Sequence, residues 1–283
     1  MSLNIENLTQ SYEKNGYLIF EEPETKKLAS NLEKAIIGIM LERSRGLGLK
    51  INENENIDHI YQKLLDYDPA VTGGIYDVIR ELPEFLEMIN NKSLKSLVKK
   101  MFGWKKVHLP FGLCQFRIDR PEDTKYHFDW HQDYPYNIIS KSAVTFWVPL
   151  TDVTLETGAI RILPNSHHEI HPVKGKTSYA PGEKGNAASH LTYKLDNPDL
   201  DFLESESISI PVKAGNILVF NSLVLHRSGN NLSNNLNRWV SIFRMGDLYD
   251  KDLLSRDFFC SRPNKPNTMA GFSQVHPEYF TES

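Results

Sequence analysis

Gly215-Asn-Ile-Leu-Val-Phe-Asn-Ser-Leu-Val-Leu-His226 is an apolar strand that leads through a short turn to a histidine near its end. The polar connection Arg227-Ser-Gly-Asn-Asn-Leu-Ser-Asn-Asn-Leu-Asn237 follows, and Arg238 opens the next apolar strand. A strand, a turn and a second strand without a helix between them is the texture of an antiparallel sheet.

The same texture extends on both sides. Leu113 to Ile118, Tyr126 to Asp133, Ala143 to Leu150, Ala159 to Leu163, Ser207 to Val212, Asn216 to Asn221 and Arg238 to Met245 are short β-rich runs punctuated by Gly, Pro and Asn. The crossover helices that a parallel sheet needs are missing, which favours a sandwich or barrel. Before Pro110 the pattern is helical: Asn4 to Asn15, Glu24 to Arg45, Ile57 to Tyr67, Gly74 to Asn90, and Ser93 to Phe102 after a cap at Asn91. Gly16 to Phe20 reads as an early strand. The expected architecture is a mainly β jelly roll with an N-terminal helical layer.

No linker separates the two parts, so residues 1–283 are expected to form a single domain. Within it, 1–109 is helical support, 110–250 the jelly-roll core, 172–206 a polar, lid-like insertion, and 251–283 a C-terminal tail. The chain has 283 residues, 40% of them hydrophobic and 11% aromatic, enough for a sizeable core. Lys and Arg total 32 against 36 Asp and Glu, a near-balanced charge that argues against a nucleic-acid partner. The longest apolar stretch, Ala35 to Leu41, is far shorter than the ~20 residues that span a bilayer. Cys114 and Cys260 lie far apart and outside any zinc-finger spacing, which favours a reducing compartment. A cytoplasmic protein that acts on a small molecule is expected.

The chemistry concentrates in Tyr126-His-Phe-Asp-Trp-His-Gln-Asp-Tyr-Pro-Tyr136, which holds two successive His-x-Asp pairs, His127/Asp129 and His131/Asp133. In a strand, residues two apart share a face, so either pair offers an imidazole and a carboxylate to one metal. A histidine from another strand would complete the two-His-one-carboxylate set of non-haem Fe(II) oxygenases. A single His-x-Asp arises about once by chance in a chain of this kind, so the pair alone decides little.

Several stretches taken together resemble the phytanoyl-CoA dioxygenase family of Fe(II)- and 2-oxoglutarate-dependent oxygenases. Trp130-His-Gln-Asp133 is similar to its W-H-x-D metal motif, and His226-x-Ser228-Gly229-x-Asn231-x-Ser233 followed by Arg238 to its H-x-S-x-x-N-x-S…R signature. Phe146-Trp-Val-Pro-Leu-Thr-Asp152, Glu156-Thr-Gly-Ala159 and Leu163-Pro-Asn-Ser-His167 resemble the elements between them, with Asn165 where Gly is usual. The opening Tyr12-Glu-Lys-Asn-Gly-Tyr-Leu18 is similar to the family's usual start.

The resemblance implies a double-stranded β-helix with Fe(II) held by His131, Asp133 and His226, the His127/Asp129 pair lying alongside. It implies 2-oxoglutarate and O2 as cosubstrates, with release of succinate and CO2 and hydroxylation of a substrate C–H. Desaturation and ring formation are variants of that outcome. A carboxylate at Asp133 favours oxygen chemistry, since related halogenases carry a small residue there.

Arg238 is the expected partner of the distal carboxylate of 2-oxoglutarate, because a guanidinium stays charged and binds carboxylates bidentately. The Ser or Thr that often shares this task two residues on is replaced by Val240, and Ser241 should face the other way. Ser228, Trp147 and Gln115 are the candidates for a second cosubstrate contact. Tyr134, Tyr136 and Arg117 are candidate substrate contacts, and Asp119 alternates with Arg117 and Gln115 on the same run. The competing reading is a jelly-roll metal-binding protein, or a non-redox metal-dependent one, without oxygenase turnover. A pure binding module has no use for a carboxylate clamp at Arg238.

Overall fold

Side-chain caps mark the helix starts. Asn4, Glu22, Asn56, Asp68 and Asn91 each accept a backbone N–H at the head of a helix. The helices are α1 Ile5–Asn15, α2 Pro23–Gly46, α3 Ile57–Tyr67, α4 Pro69–Ile79, α5 Pro83–Ile89 and α6 Lys92–Phe102. The computed structural model describes residues 4–52, 54–123, 127–175, 193–258 and 271–283. Tyr126, Cys260 and residues 176–192 of the expected lid-like insertion lie outside the described residues.

The strands are β1 Tyr17–Phe20, β2 Val107–His108, β3 Gln115–Asp119, β4 Val144–Pro149, β5 Ile160–Ile162, β6 Val173–Gly175, β7 Tyr193–Leu195, β8 Ile208–Ile210, β9 Ile217–Asn221, β10 His226–Arg227, β11 Arg238–Asp247 and β12 Phe280–Glu282. A large antiparallel sheet runs β1-β9-β4-β11-β2, with β3 pairing β11 farther along its length. A second antiparallel sheet runs β10-β5-β8, and a third, partly parallel one joins β12, β6 and β7.

The large sheet is apolar on both faces, and the period of two sorts its side chains. Ile217, Val219, Phe146, Val148, Trp239, Phe243 and Met245 pack against the helical layer. Leu218, Phe220, Trp147, Val240 and Ile242 pack against Ile160, Ile162 and Ile210 of the second sheet. The helical layer answers with Leu32, Ile36 and Met40 at i, i+4 and i+8 of α2, all fully buried. Burying each such side chain contributes roughly 1.5–3 kcal/mol. Tyr61 of α3 meets Trp239 edge-on at 5.2 Å, tying the layer to the strand that begins with Arg238.

Three expectations are corrected. Among the described residues helix exceeds strand, so the chain is a mixed α and β structure with antiparallel sheets rather than mainly β. The helix expected over Gly74 to Asn90 is two helices, because Pro83 lacks an N–H and disfavours helical backbone at Leu82, whose ψ is 136°. The strand expected over Tyr126 to Asp133 is, among its described residues, a single bridge between His131 and His226. Asp133 then turns into helical backbone and leads into α7, Tyr134–Asn137, without a side-chain capping bond.

The C-terminal segment is more than a tail. It carries α9 Lys251–Ser255, α10 Gly271–Val275 and β12, and Phe272 is fully buried beside Tyr134, Tyr193, Leu203 and Leu253. The latter part of the insertion forms β7 and α8, Leu200–Glu206. Asn165 adopts a φ of 62°, the left-handed conformation that Asn tolerates better than most residues, which explains its place where Gly is usual.

Candidate metal centre and active site

His131 and His226 face each other through paired backbone hydrogen bonds of 3.0 Å in each direction, which set their rings 4.1 Å apart. Each ring is oriented from its own chain. His131 Nδ1 lies 2.7 Å from the Asp129 carbonyl and His226 Nδ1 2.9 Å from the Val224 carbonyl. A carbonyl only accepts, so each Nδ1 carries the proton and Nε2 keeps its lone pair for a metal.

Asp133 enters from the turn into α7, its Oδ1 3.9 Å from His131 Nε2. One ligand atom from each of the three residues lies within 4.8 Å of the others, and all three residues are buried. Burial, and then the neighbouring His226, push the His131 imidazole down to about 3. Burial also lowers the His226 pKa. Burial by itself would raise the Asp133 carboxyl, but the Arg244 guanidinium and the two imidazoles outweigh it and hold that carboxyl well below the usual range. Two neutral imidazoles and one carboxylate are the donor set that suits Fe(II).

Aromatic rings close the space around the group. Phe128 and Tyr136 lie 4.9 and 5.7 Å from the His131 ring, and Phe220 lies 4.6 Å from His226. Tyr136 also donates to the Tyr193 carbonyl at 2.7 Å. Tyr134 points away into the third core, its hydroxyl 3.0 Å from His276 Nε2. Of the two tyrosines, Tyr136 adjoins the metal group.

The first His-x-Asp pair stands apart: Asp129 is exposed, and His127 lies beside a second charged cluster. That cluster is Arg117, Asp119 and Arg238. Arg238 gives Nε and Nη2 to Asp119 Oδ2 at 3.1 and 2.8 Å, and Arg117 Nη2 meets Oδ1 at 2.5 Å. Arg238 Nη1 reaches the carbonyls of Gly158 and Gly229. Burial would raise the Asp119 carboxyl, but the two guanidinium groups hold it well below the usual range.

Gln115, Arg117 and Asp119 lie opposite Ile242, Val240 and Arg238 across β3 and β11. Phe116 and Ile118 between them belong to the helical core. Trp147 is opposite Ile242 on the other side of β11, in the core between the sheets. Ser241 is opposite Phe116 and Val148, on the helical side, so it faces away from Arg238 as expected. Ser228 Oγ accepts from Phe128 N at 3.0 Å, and the Ser228 N–H returns a bond to the Phe128 carbonyl, fixing the segment that leads to His131.

Two residues at the centre escaped the sequence reading. Thr145 donates to Asp133 Oδ2 at 2.5 Å, and Arg244 bonds both Asp133 oxygens. The signal was present in the spacing, since Arg238, Val240, Ile242 and Arg244 share a face at period two.

The family model for phytanoyl-CoA dioxygenase (PhyH) matches residues 12–239. The chain belongs to the phytanoyl-CoA dioxygenase family. It is accordingly a non-haem, Fe(II)- and 2-oxoglutarate-dependent oxygenase. Among solved structures, the chain is similar to the non-haem α-ketoglutarate-dependent carbocyclase SnoK from nogalamycin biosynthesis, at 17% identity and a TM-score of 0.52. That match covers 94% of this chain and 95% of the other. The epimerase SnoN in complex with Fe3+, α-ketoglutarate and nogalamycin RO matches at 15% identity and 0.50, covering 86% and 83%. A nickel complex of the non-haem monooxygenase ThoJ matches at 15% and 0.50, covering 86% and 78%. At these identities the likeness shows a shared fold. No helix among the described residues is long and apolar enough to cross a membrane.

Proposed function

We propose that this PhyH-family oxygenase binds Fe(II) through His131, Asp133 and His226 and hydroxylates an unactivated C–H of a small-molecule metabolite. The observation that carries this reading is the buried convergence of two carbonyl-oriented imidazoles and one carboxylate within 4.8 Å. Iron and 2-oxoglutarate together supply the oxidising chemistry, with O2 consumed and succinate and CO2 released.

The protein's own residues position and shield. The carbonyls of Asp129 and Val224 keep both Nε2 atoms aimed at the metal, while Thr145 and Arg244 fix the rotation of Asp133. Phe128, Tyr136 and Phe220 keep water from the reacting centre. Arg238, held in the interior of the sheet, is the group that takes the distal carboxylate of 2-oxoglutarate, with Gln115, Trp147 and Ser228 as its neighbours in that role. Arg117, Tyr136 and, less directly placed, Tyr134 belong to the substrate side.

In this reading the two facing antiparallel sheets form a double-stranded β-helix with the metal at its mouth. Residues 1–283 act as one domain in this reading, supported by a core cluster that joins helices and sheet from Tyr12 to Met245. The free, buried thiol of Cys114 suits a reducing, cytoplasmic setting. Small-molecule metabolites such as the nogalamycin RO bound by SnoN are the substrates to try first.

The test is a screen of such metabolites for stimulation of Fe(II)- and O2-dependent succinate release. Turnover in the wild type that is lost in Asp133→Ala and His226→Ala supports the assignment. Turnover that survives either substitution refutes it.

A further inference from the structure

Arg238, the expected cosubstrate clamp, already holds a carboxylate. A guanidinium has five N–H groups. Nε and one Nη2 hydrogen go to Asp119 Oδ2, and Nη1 serves the carbonyls of Gly158 and Gly229. One Nη2 hydrogen is left. Neither edge of the guanidinium can then present the two parallel N–H groups that a second carboxylate needs.

The arginine itself is fixed by backbone. A Cβ on Gly158 would meet the Gly229 carbonyl oxygen at 2.8 Å and Arg238 Nη1 at 3.0 Å, and a Cβ on Gly229 would meet the Ala159 carbonyl oxygen at 2.0 Å. The chains carrying the two carbonyls are as close as glycine permits, so Nη1 is anchored. Any exchange of partners must therefore happen at Asp119. Asp119 has a second holder, since its other oxygen, Oδ1, is bonded to Arg117. It can give up Arg238 without becoming an unpaired buried charge, the outcome that would cost most.

We propose that Asp119 is a built-in competitor for the cosubstrate clamp: it occupies Arg238 until the distal carboxylate of 2-oxoglutarate displaces it onto Arg117. Cosubstrate binding is then an exchange of one carboxylate for another at Arg238, and Asp119 sets its affinity. The inference rests on the reading of Arg238 as the clamp given above.

The experiment measures binding, without turnover. Anaerobic Fe(II)-loaded protein is titrated with 2-oxoglutarate, and separately with 2-oxobutyrate, which lacks the distal carboxylate, by following the visible band of the chelate. Asp119→Asn should bind 2-oxoglutarate at least about fivefold more tightly than wild type, with 2-oxobutyrate unchanged. Unchanged or weaker binding of 2-oxoglutarate in Asp119→Asn overturns the proposal. Should that variant fail to fold, Arg117→Gln removes the residue that receives Asp119. It should weaken 2-oxoglutarate selectively, and unchanged affinity there overturns the proposal equally. Arg238→Ala separates the two levels. If it leaves 2-oxoglutarate binding intact, the clamp reading itself fails; if it weakens binding while Asp119→Asn brings no gain, only the exchange fails.

Discussion

Arg244 grips both carboxylate oxygens of Asp133: Nη2 lies 2.9 Å from Oδ1, and Nε lies 3.1 Å from Oδ2. Its remaining amino group, Nη1, is tied to the Leu113 carbonyl at 2.8 Å, so the guanidinium is a fixed brace. The brace orients the carboxylate and lowers its basicity. Partners of metal ligands typically govern 10- to 100-fold in metal affinity. Arg244→Met is therefore expected to weaken Fe(II) binding by roughly one to two orders of magnitude, measured by anaerobic titration. Undiminished affinity would show that His131, His226 and Thr145 orient Asp133 unaided.

Asp58 ties the helical layer to the strand that carries Arg238. Its Oδ1 accepts from Asn237 N at 3.0 Å, from Asn237 Nδ2 at 2.8 Å and from Trp239 Nε1 at 2.8 Å. Asp58→Ala leaves three buried donors without their acceptor, a loss on the order of 2–4 kcal/mol of stability. Urea unfolding followed by tryptophan fluorescence measures it, and a loss under about 0.5 kcal/mol would mean that water replaces the carboxylate freely.

How much of this was legible in the sequence follows from what each feature depends on. Helices α1, α2, α3 and α6 were readable because caps and a period of 3.6 are local, and Asn91 even named its own helix. The grouping of His131, Asp133 and His226, which the structure brings together, could be named from the sequence because order and motif survive without coordinates. The strand expected at 126–133 was not formed in its described part because one alternating run fits a turn as well as a strand; Pro135 and the turn at Asp133 decided it. Strands β6, β7 and β12 have three residues each, too few to show alternation. Arg244 and the Arg117–Asp119–Arg238 cluster depended on register. Period two says which residues share a face, but only the pairing of β3, β11 and β4 says which charges meet.

Asn165 offers a test of the left-handed turn after β5. With φ at 62°, Asn165→Gly should be close to neutral, whereas Asn165→Ala should cost about 1 kcal/mol. Thermal unfolding of the two variants decides it. Equal stability would mean that the turn relaxes into ordinary backbone.

Cys114 is buried, and its thiol is pushed up to about 11 by burial, with Arg244 acting in the opposite sense. Little thiolate exists at pH 8, so Cys114 should resist iodoacetamide in the folded protein and react once the chain is unfolded. Peptide mass spectrometry reads this directly. Rapid labelling of Cys114 in the native protein would contradict the packing around β3.

The central claim is that His131, and not His127, completes the iron site with Asp133 and His226. Anaerobic Fe(II) titration of the wild type, His131→Ala and His127→Ala tests it most directly. Wild type and His127→Ala should each bind one iron per chain with similar affinity, while His131→Ala should lose tight binding. Loss in His127→Ala as severe as in His131→Ala would contradict the account.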